Sequence, residues 1–174
     1  MTIRNMSSRL FFELCEEGQA VYYSGTVNGT DPSGHLWDSL QPMGGMLSAI
    51  HPRANVWLSA PDTSAMLHYD ASHNFLVQVR GSKTVQLVDS RHWAKIGLVS
   101  RLHPATRQAQ ANISQYETMR RLWIEQVRIK TARLSSGDVL FIPAFYFHAV
   151  TSEVSNASIK TSPDNLNPDS NWRP

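Results

Sequence analysis

From Asn55 onward the chain is written in short runs of β-branched and aromatic residues, each closed off by turn formers. The runs are Val56-Trp57-Leu58, Phe75-Leu76-Val77-Gln78-Val79, Thr84-Val85-Gln86-Leu87-Val88, Val127-Arg128-Ile129 and Val139-Leu140-Phe141-Ile142. Gly-Ser, Asp-Ser and Ser-Ser-Gly-Asp separators between several of them leave room for tight turns but not for crossover helices. The carboxyl-terminal two thirds is therefore expected to be antiparallel sheet, arranged as an all-β barrel or sandwich.

The remaining segments flank or interrupt that sheet. Leu10, Phe11, Leu14 and Cys15 recur at helical spacing, which predicts one short helix over Ser7 to Glu17 with Gly18 as its stop. Gln19 to Ser24 is β-rich, and the cluster Gly25, Asn28, Gly29, Asp31, Pro32, Ser33 and Gly34 reads as a loop. Arg91 to Trp123 is a long excursion between two groups of strands, with a helical segment expected from Gln115 to Trp123. From Ser162 to Pro174 the chain is rich in Pro, Asn, Asp and Ser, the composition of a poorly ordered tail. A chain of 174 residues is expected to be one domain. Its parts are a flank at 1–54, a barrel at 55–162 with an insert at 91–123, and a tail at 163–174.

Sixteen Lys and Arg against fourteen Asp and Glu, scattered along the chain, give no electrostatic footprint for nucleic acid or anionic lipid. The lone cysteine, Cys15, cannot close an internal disulfide, and in a Phe-Phe-Glu-Leu-Cys-Glu-Glu setting it reads as a small hydrophobe bordering a core. No apolar run approaches the ~20 residues that span a bilayer, and the amino terminus lacks a signal-peptide layout, so a reducing intracellular compartment, cytoplasmic or nuclear, is expected.

The chemistry concentrates in two places. In Leu67-His68-Tyr69-Asp70, residues two apart on a strand project to one face, so His68 and Asp70 can offer an imidazole nitrogen and a carboxylate oxygen to the same metal. His148, closing the run Gly137-Asp138-Val139-Leu140-Phe141-Ile142-Pro143-Ala144-Phe145-Tyr146-Phe147-His148, is the candidate third ligand. Two histidines and one carboxylate on one face of an octahedron leave three positions open, the arrangement of non-heme iron(II) oxygenases. Each motif alone is short: His-x-Asp recurs by chance, and a histidine beside aromatic residues is often an ordinary core residue.

Their company is more specific. The run His68-Tyr-Asp-Ala-Ser-His-Asn-Phe-Leu-Val-Gln-Val-Arg-Gly-Ser-Lys83 resembles the JmjC-type, cupin-8 group of Fe(II)/2-oxoglutarate oxygenases. The Gly-Asp-Val-Leu-Phe-Ile-Pro-x4-His148 segment resembles that group's second metal-binding block, and Leu102-His-Pro-Ala-Thr-Arg-Gln-Ala-Gln-Ala-Asn112 resembles its insert. The similarity runs from about Asn55 to Ile159. It implies a double-stranded β-helix, a mostly β jelly-roll or cupin barrel with a few flanking helices and a metal at its open mouth.

It also implies that His68, Asp70 and His148 hold Fe(II) and carry the catalysis. Lys83 would pair with the distal carboxylate of 2-oxoglutarate, and Asn74 would line the pocket. The cofactors implied are Fe(II), 2-oxoglutarate as cosubstrate, and O2. 2-Oxoglutarate would be decarboxylated to succinate and CO2 while the substrate gains a hydroxyl group, which on an N-methyl carbon amounts to demethylation. Lys83 makes physical sense in that role, since a cation held inside a barrel needs an anionic partner to offset its desolvation. Without the resemblance it would read as a hairpin lysine in solvent. Tyr69, between two ligands, should face the other side of the strand.

Two departures from the family pattern bear on cosubstrate binding. Members commonly carry Ser or Thr three residues ahead of the first histidine, where the hydroxyl meets the cosubstrate carboxylate; here that position is Ala65, with Ser64 a one-residue slip away. Lys160 stands at a pocket-lining position of the last strand, in Asn156-Ala-Ser-Ile-Lys160-Thr-Ser-Pro163. Tyr22 and Tyr23 are the candidates for the tyrosine such enzymes place against 2-oxoglutarate. Ala65 and Lys160 also leave open a second reading, a non-catalytic cupin that binds a metal or small molecule. The Gly25 to Gly45 loop and the Arg91 to Arg121 insert are the expected walls of the substrate site, with Trp37, Met43, Met46, Trp93, Arg107 and Tyr116 as candidates. Family association favours a protein or peptide substrate, leaves RNA and small molecules open, and gives no reason for a membrane partner. Dimerisation through the insert stays open.

Overall fold

The computed structural model describes residues 7–28, 53–100, 102–110, 127–154 and 156–161. The chain opens with α1 (Ser8–Glu16), capped at its start by the Ser7 hydroxyl, which accepts from the Leu10 amide at 3.2 Å. Gly18, at φ +75°, ends it as the sequence predicts. Phe11 is the helix residue that buries, against Tyr23.

Among the described residues nine strands follow: β1 (Tyr22–Asn28), β2 (Arg53–Ser59), β3 (Ser64–Tyr69), β4 (Asn74–Arg80), β5 (Lys83–Val88), β6 (Ile129–Leu134), β7 (Val139–Ile142), β8 (Phe147–Ser152) and β9 (Asn156–Thr161). They form two sheets, in the orders β1-β2-β9-β4-β7 and β3-β8-β5-β6, with every pairing antiparallel. Chain neighbours β4 and β5 lie in different sheets, as do β2 and β3, and β7 and β8, so the chain alternates between the two walls. That is a mostly β jelly-roll fold of the cupin kind.

Between the sheets Leu76, Val85, Leu134 and Ile142 form a buried cluster, joined by Leu87, Leu140, Tyr146 and Val150. A second cluster of Leu67, Val88, Ile96, Ala109, Val127 and Phe147 covers the outer face of the smaller sheet. The excursion after β5 supplies its lid: a 3-10 turn over Ser90–His92, α2 (Trp93–Ile96), and a segment through Ala109 whose amide donates to the Leu67 carbonyl at 2.8 Å. The same segment bridges His68 to Gln108, so the β3 edge is paired rather than open.

Two strand boundaries differ from expectation. β1 continues through Gly25 to Asn28, because the partner strand β2 pairs it in register along its whole length (Gly25 opposite Val56) and overrides the local turn signal. The strand expected at Val127 to Ile129 begins at Ile129 and runs to Leu134; its exposed Lys130, Thr131 and Arg133 disguise a sheet-edge strand. The loop from 29 to 45, the helical segment at 115–123, the tail, Trp37, Met43, Met46 and Tyr116 lie outside the described residues. Among the described residues no helix is long and apolar enough to cross a membrane.

Candidate metal centre at the barrel mouth

His68, Asp70 and His148 converge, each with a ligating atom within 4.8 Å of the others. The strands make this happen through register. His68 in β3 stands directly opposite His148 in β8, so both imidazoles share one face, with ring centroids 4.3 Å apart. Leu87 in β5 faces His148 from the other side and belongs to the interior cluster, which identifies that face as the inside of the barrel.

The sequence argument that His68 and Asp70 share a face is right in outcome and incomplete in cause. Asp70 lies one residue past the end of β3, and β3 itself is bulged between Ala65 and His68. The extra residue reverses the inside-outside alternation. Ala65, opposite the interior residue Val150, and His68, three positions on, therefore face inward together. Leu67 faces outward into the second cluster, and so does Tyr69, which packs against Phe145 and Phe147.

Each histidine is tied by the backbone of its own strand approach. His68 Nδ1 lies 2.7 Å from the Met66 carbonyl, and His148 Nδ1 lies 3.1 Å from the Tyr146 carbonyl. An Nδ1–H donated to a carbonyl leaves Nε2 with its lone pair, the neutral tautomer that binds metals. His148 Nε2 points at Asp70 Oδ2, 3.4 Å away. Asn74, 1% exposed, donates from Nδ2 to the same Oδ2 at 2.9 Å and to the Ser72 carbonyl at 3.2 Å. The Phe145 amide donates to the Asp70 carbonyl at 2.7 Å, from a residue held at φ +63°, so the turn before His148 is fastened to the residue that carries the carboxylate. Two neutral imidazoles and an oriented carboxylate, with no cationic side chain among them, fit a divalent ion of the Fe(II) class.

Asn74 thus holds Asp70 in place, where the sequence suggested a pocket wall. Replacing Asn74 with alanine is expected to weaken metal affinity roughly 10- to 100-fold, the usual cost of losing a partner that orients a ligand. Competition against a fluorescent chelator measures it, and an unchanged affinity would separate Asn74 from the metal.

Lys83 is 4% exposed rather than a solvent-facing hairpin lysine. It crosses the barrel, donating from Nζ to the Ser158 hydroxyl at 2.6 Å in the opposite sheet. Burial pushes its ammonium down to about 8. Ser158 is fully buried, and sequence reasoning missed it by fixing on Lys160, although the period-two rule gives both the same face of β9. Register places Lys160 between Asn55 and Leu76; its side chain lies outside the described residues.

Ser64 is not at the site. Its hydroxyl pairs at 3.3 Å with that of Thr151, on the outward face, because the bulge assigns the inward position to Ala65. Tyr22 stacks on Trp57 at 5.8 Å, whereas Tyr23 turns to Phe11. Trp93 and Arg107 are both exposed on the excursion after β5.

Comparison with known proteins agrees with the fold. The family described as a cupin-like domain matches residues 4–167. The chain is 34% identical over 96 residues to tRNA wybutosine-synthesizing protein 5 of Homo sapiens, covering 55% of this chain and 29% of that protein. It is 30% identical over 120 residues to JmjC domain-containing protein F of Dictyostelium discoideum (60% of this chain, 25% of that protein). To Jumonji C domain-containing protein 5 of Drosophila melanogaster it is 29% identical over 108 residues, 59% and 25% of the two chains. The matches thus span less than a third of each of these relatives. The match over nearly the whole chain and the double-sheet barrel agree: this chain belongs to the cupin-like, JmjC-type domain family.

Proposed function

We propose that this chain is an Fe(II)- and 2-oxoglutarate-dependent oxygenase that hydroxylates a side chain of a protein or peptide. The observation that carries the reading is the convergence of His68, Asp70 and His148 with their outer nitrogens already committed to carbonyls. Iron(II) bound there would supply the activation of dioxygen, coupled to conversion of 2-oxoglutarate to succinate and CO2. The remaining chemistry belongs to the chain. His68 and His148 present Nε2, Asp70 presents a charged oxygen, and Asn74 keeps that carboxylate aimed. Among the described residues Lys83 is the one buried cation, and it would pair with the distal carboxylate of the cosubstrate. Leu76, Val85 and Ile142 line the interior with apolar surface that keeps water from the reacting groups.

The test is succinate release from 2-oxoglutarate by purified protein with and without added iron(II). Iron-dependent succinate, even without a second substrate, is the expected result. No turnover together with no 2-oxoglutarate binding would overturn the reading; metal and cosubstrate binding without turnover would leave a binding module, the reading to which Ala65 lends weight. The similarity to relatives named for tRNA wybutosine synthesis supports a second substrate class, a modified RNA base. Stimulation of succinate release by a peptide library or by total tRNA decides between the two.

A further inference from the structure

Among the described residues, three buried side-chain atoms have no hydrogen-bond partner: Trp57 Nε1, Thr63 Oγ1 and Gln78 Oε1. They are far apart in sequence, yet register gathers them. Trp57 and Gln78 flank Ser158 on either side, directly opposite it in β2 and β4, and Ser158 is the residue that receives the Lys83 ammonium. Thr63 stands beside Ser152, whose amide donates to its carbonyl at 2.9 Å, and Ser152 is directly opposite Lys83. Register therefore places all three residues on the strand positions next to Lys83 and Ser158, four residues along β8 from His148. Gln78 and Ser158 are fully buried, and Gln78 cannot ease its position by turning its amide, since Nε2 already donates to the Arg80 carbonyl at 2.7 Å.

A buried polar atom without a partner is destabilising, and a barrel that sealed its end for stability alone would have placed apolar residues there. Ala65 sharpens the point. It faces inward without the hydroxyl that the family commonly has at that position, while Thr63, two residues earlier on the same face, has one that is unused.

Resting on the oxygenase reading, we propose that Thr63 and Trp57 are the neutral donors of the distal-carboxylate socket, taking the place of the hydroxyl absent at Ala65. The Thr63 hydroxyl and the Trp57 indole N–H each donate to the carboxylate, with Lys83 supplying the charge and Ser158 holding Lys83. Gln78 Oε1, an acceptor, takes a hydrogen bond donated by a water kept in the same space. The socket thereby selects a 2-oxo acid with a second carboxylate over one without.

The experiment compares the wild-type chain with Thr63→Val, Trp57→Phe and the double variant, in the presence of Mn(II). Calorimetry gives the affinity for 2-oxoglutarate and for pyruvate, which has the same 2-oxo acid head and no distal carboxylate. The expected result is a loss of about tenfold in 2-oxoglutarate affinity for Thr63→Val and more for the double variant, with pyruvate affinity unchanged. The thermal midpoint of ligand-free Thr63→Val should hold or rise, because that change removes an unsatisfied group while keeping its shape. Ala65→Ser introduced into Thr63→Val should restore part of the affinity. Full wild-type affinity in the double variant would overturn the assignment of Thr63 and Trp57 while leaving the oxygenase reading standing; failure of the wild-type chain itself to bind 2-oxoglutarate would overturn both.

Discussion

Replacing Asp70 with alanine should abolish metal retention while leaving the fold intact. Asp70 supplies the only anionic ligand among the three converging residues, and its carboxylate lies within reach of both imidazoles. Two neutral imidazoles without it make a weak site for a hard divalent ion such as Fe(II), which favours oxygen donors. Losing a ligand outright costs more than losing a partner that orients one, so the expected fall in affinity exceeds ~100-fold. The fold should tolerate the change, because Asp70 lies just past β3 and its contribution to the turn is the backbone carbonyl that accepts from Phe145, which alanine keeps. Metal content after dialysis against Mn(II) or Fe(II), read beside the thermal midpoint, is the measurement. A variant that keeps one equivalent of metal would remove Asp70 from the ligand set, and a variant that unfolds would show that Asp70 has a structural role not visible in its contacts.

The candidate triad was legible in the sequence because it is local and periodic. His68 and Asp70 are two residues apart, and His148 follows a Gly-Asp turn and a four-residue strand. The strands at 56–58, 75–79, 84–88 and 139–142 were legible for the same reason, being runs of β-branched and aromatic residues. What stayed hidden is what depends on pairing. Gly25 reads as a loop residue until β2 lies beside it, and the run at 127–129 gives no sign that the strand continues to Leu134 until β5 pairs with it. The bulge between Ala65 and His68 leaves no compositional mark, yet it decides that Ala65 faces the interior and Ser64 does not. Lys83 and Ser158 are 75 positions apart and meet only because β5 and β9 lie in opposing sheets. A single sequence carries no term for that distance, so Lys83 could be singled out by resemblance while the Ser158 hydroxyl it meets could not be found at all.

Replacing Lys83 with methionine should raise the stability of the ligand-free chain and destroy its affinity for 2-oxoglutarate. Among the described residues the lysine has one hydrogen-bond partner, a neutral hydroxyl, and burial lowers its pKa to about 8 from an ordinary value of 10.5. At ~1.4 kcal/mol per unit, keeping it charged at pH 7 costs about 3 kcal/mol. Methionine removes that cost and forfeits a hydrogen bond, stranding the Ser158 hydroxyl at 1–3 kcal/mol, so the balance is a gain of about 1 kcal/mol or slightly more. The pH dependence fixes the sign. Because the folded pKa is the lower one, the unfolded chain binds more protons between pH 8 and 10.5, and wild-type stability should rise across that window; below pH 8 the penalty is present in full. The methionine variant should lose that slope. Binding shows the opposite trend. A dicarboxylate paired with the ammonium requires the charged form, so wild-type affinity should be flat below pH 8 and fall above it, approaching tenfold per pH unit. In the variant the affinity should be at least ~100-fold weaker and independent of pH in this range. Calorimetric titrations from pH 6.5 to 9.5, paired with thermal unfolding of the ligand-free proteins, test both halves. Wild-type affinity that stays flat through pH 8, or a methionine variant that binds 2-oxoglutarate normally, would take Lys83 out of the cosubstrate site and leave it as a cation buried for architecture alone.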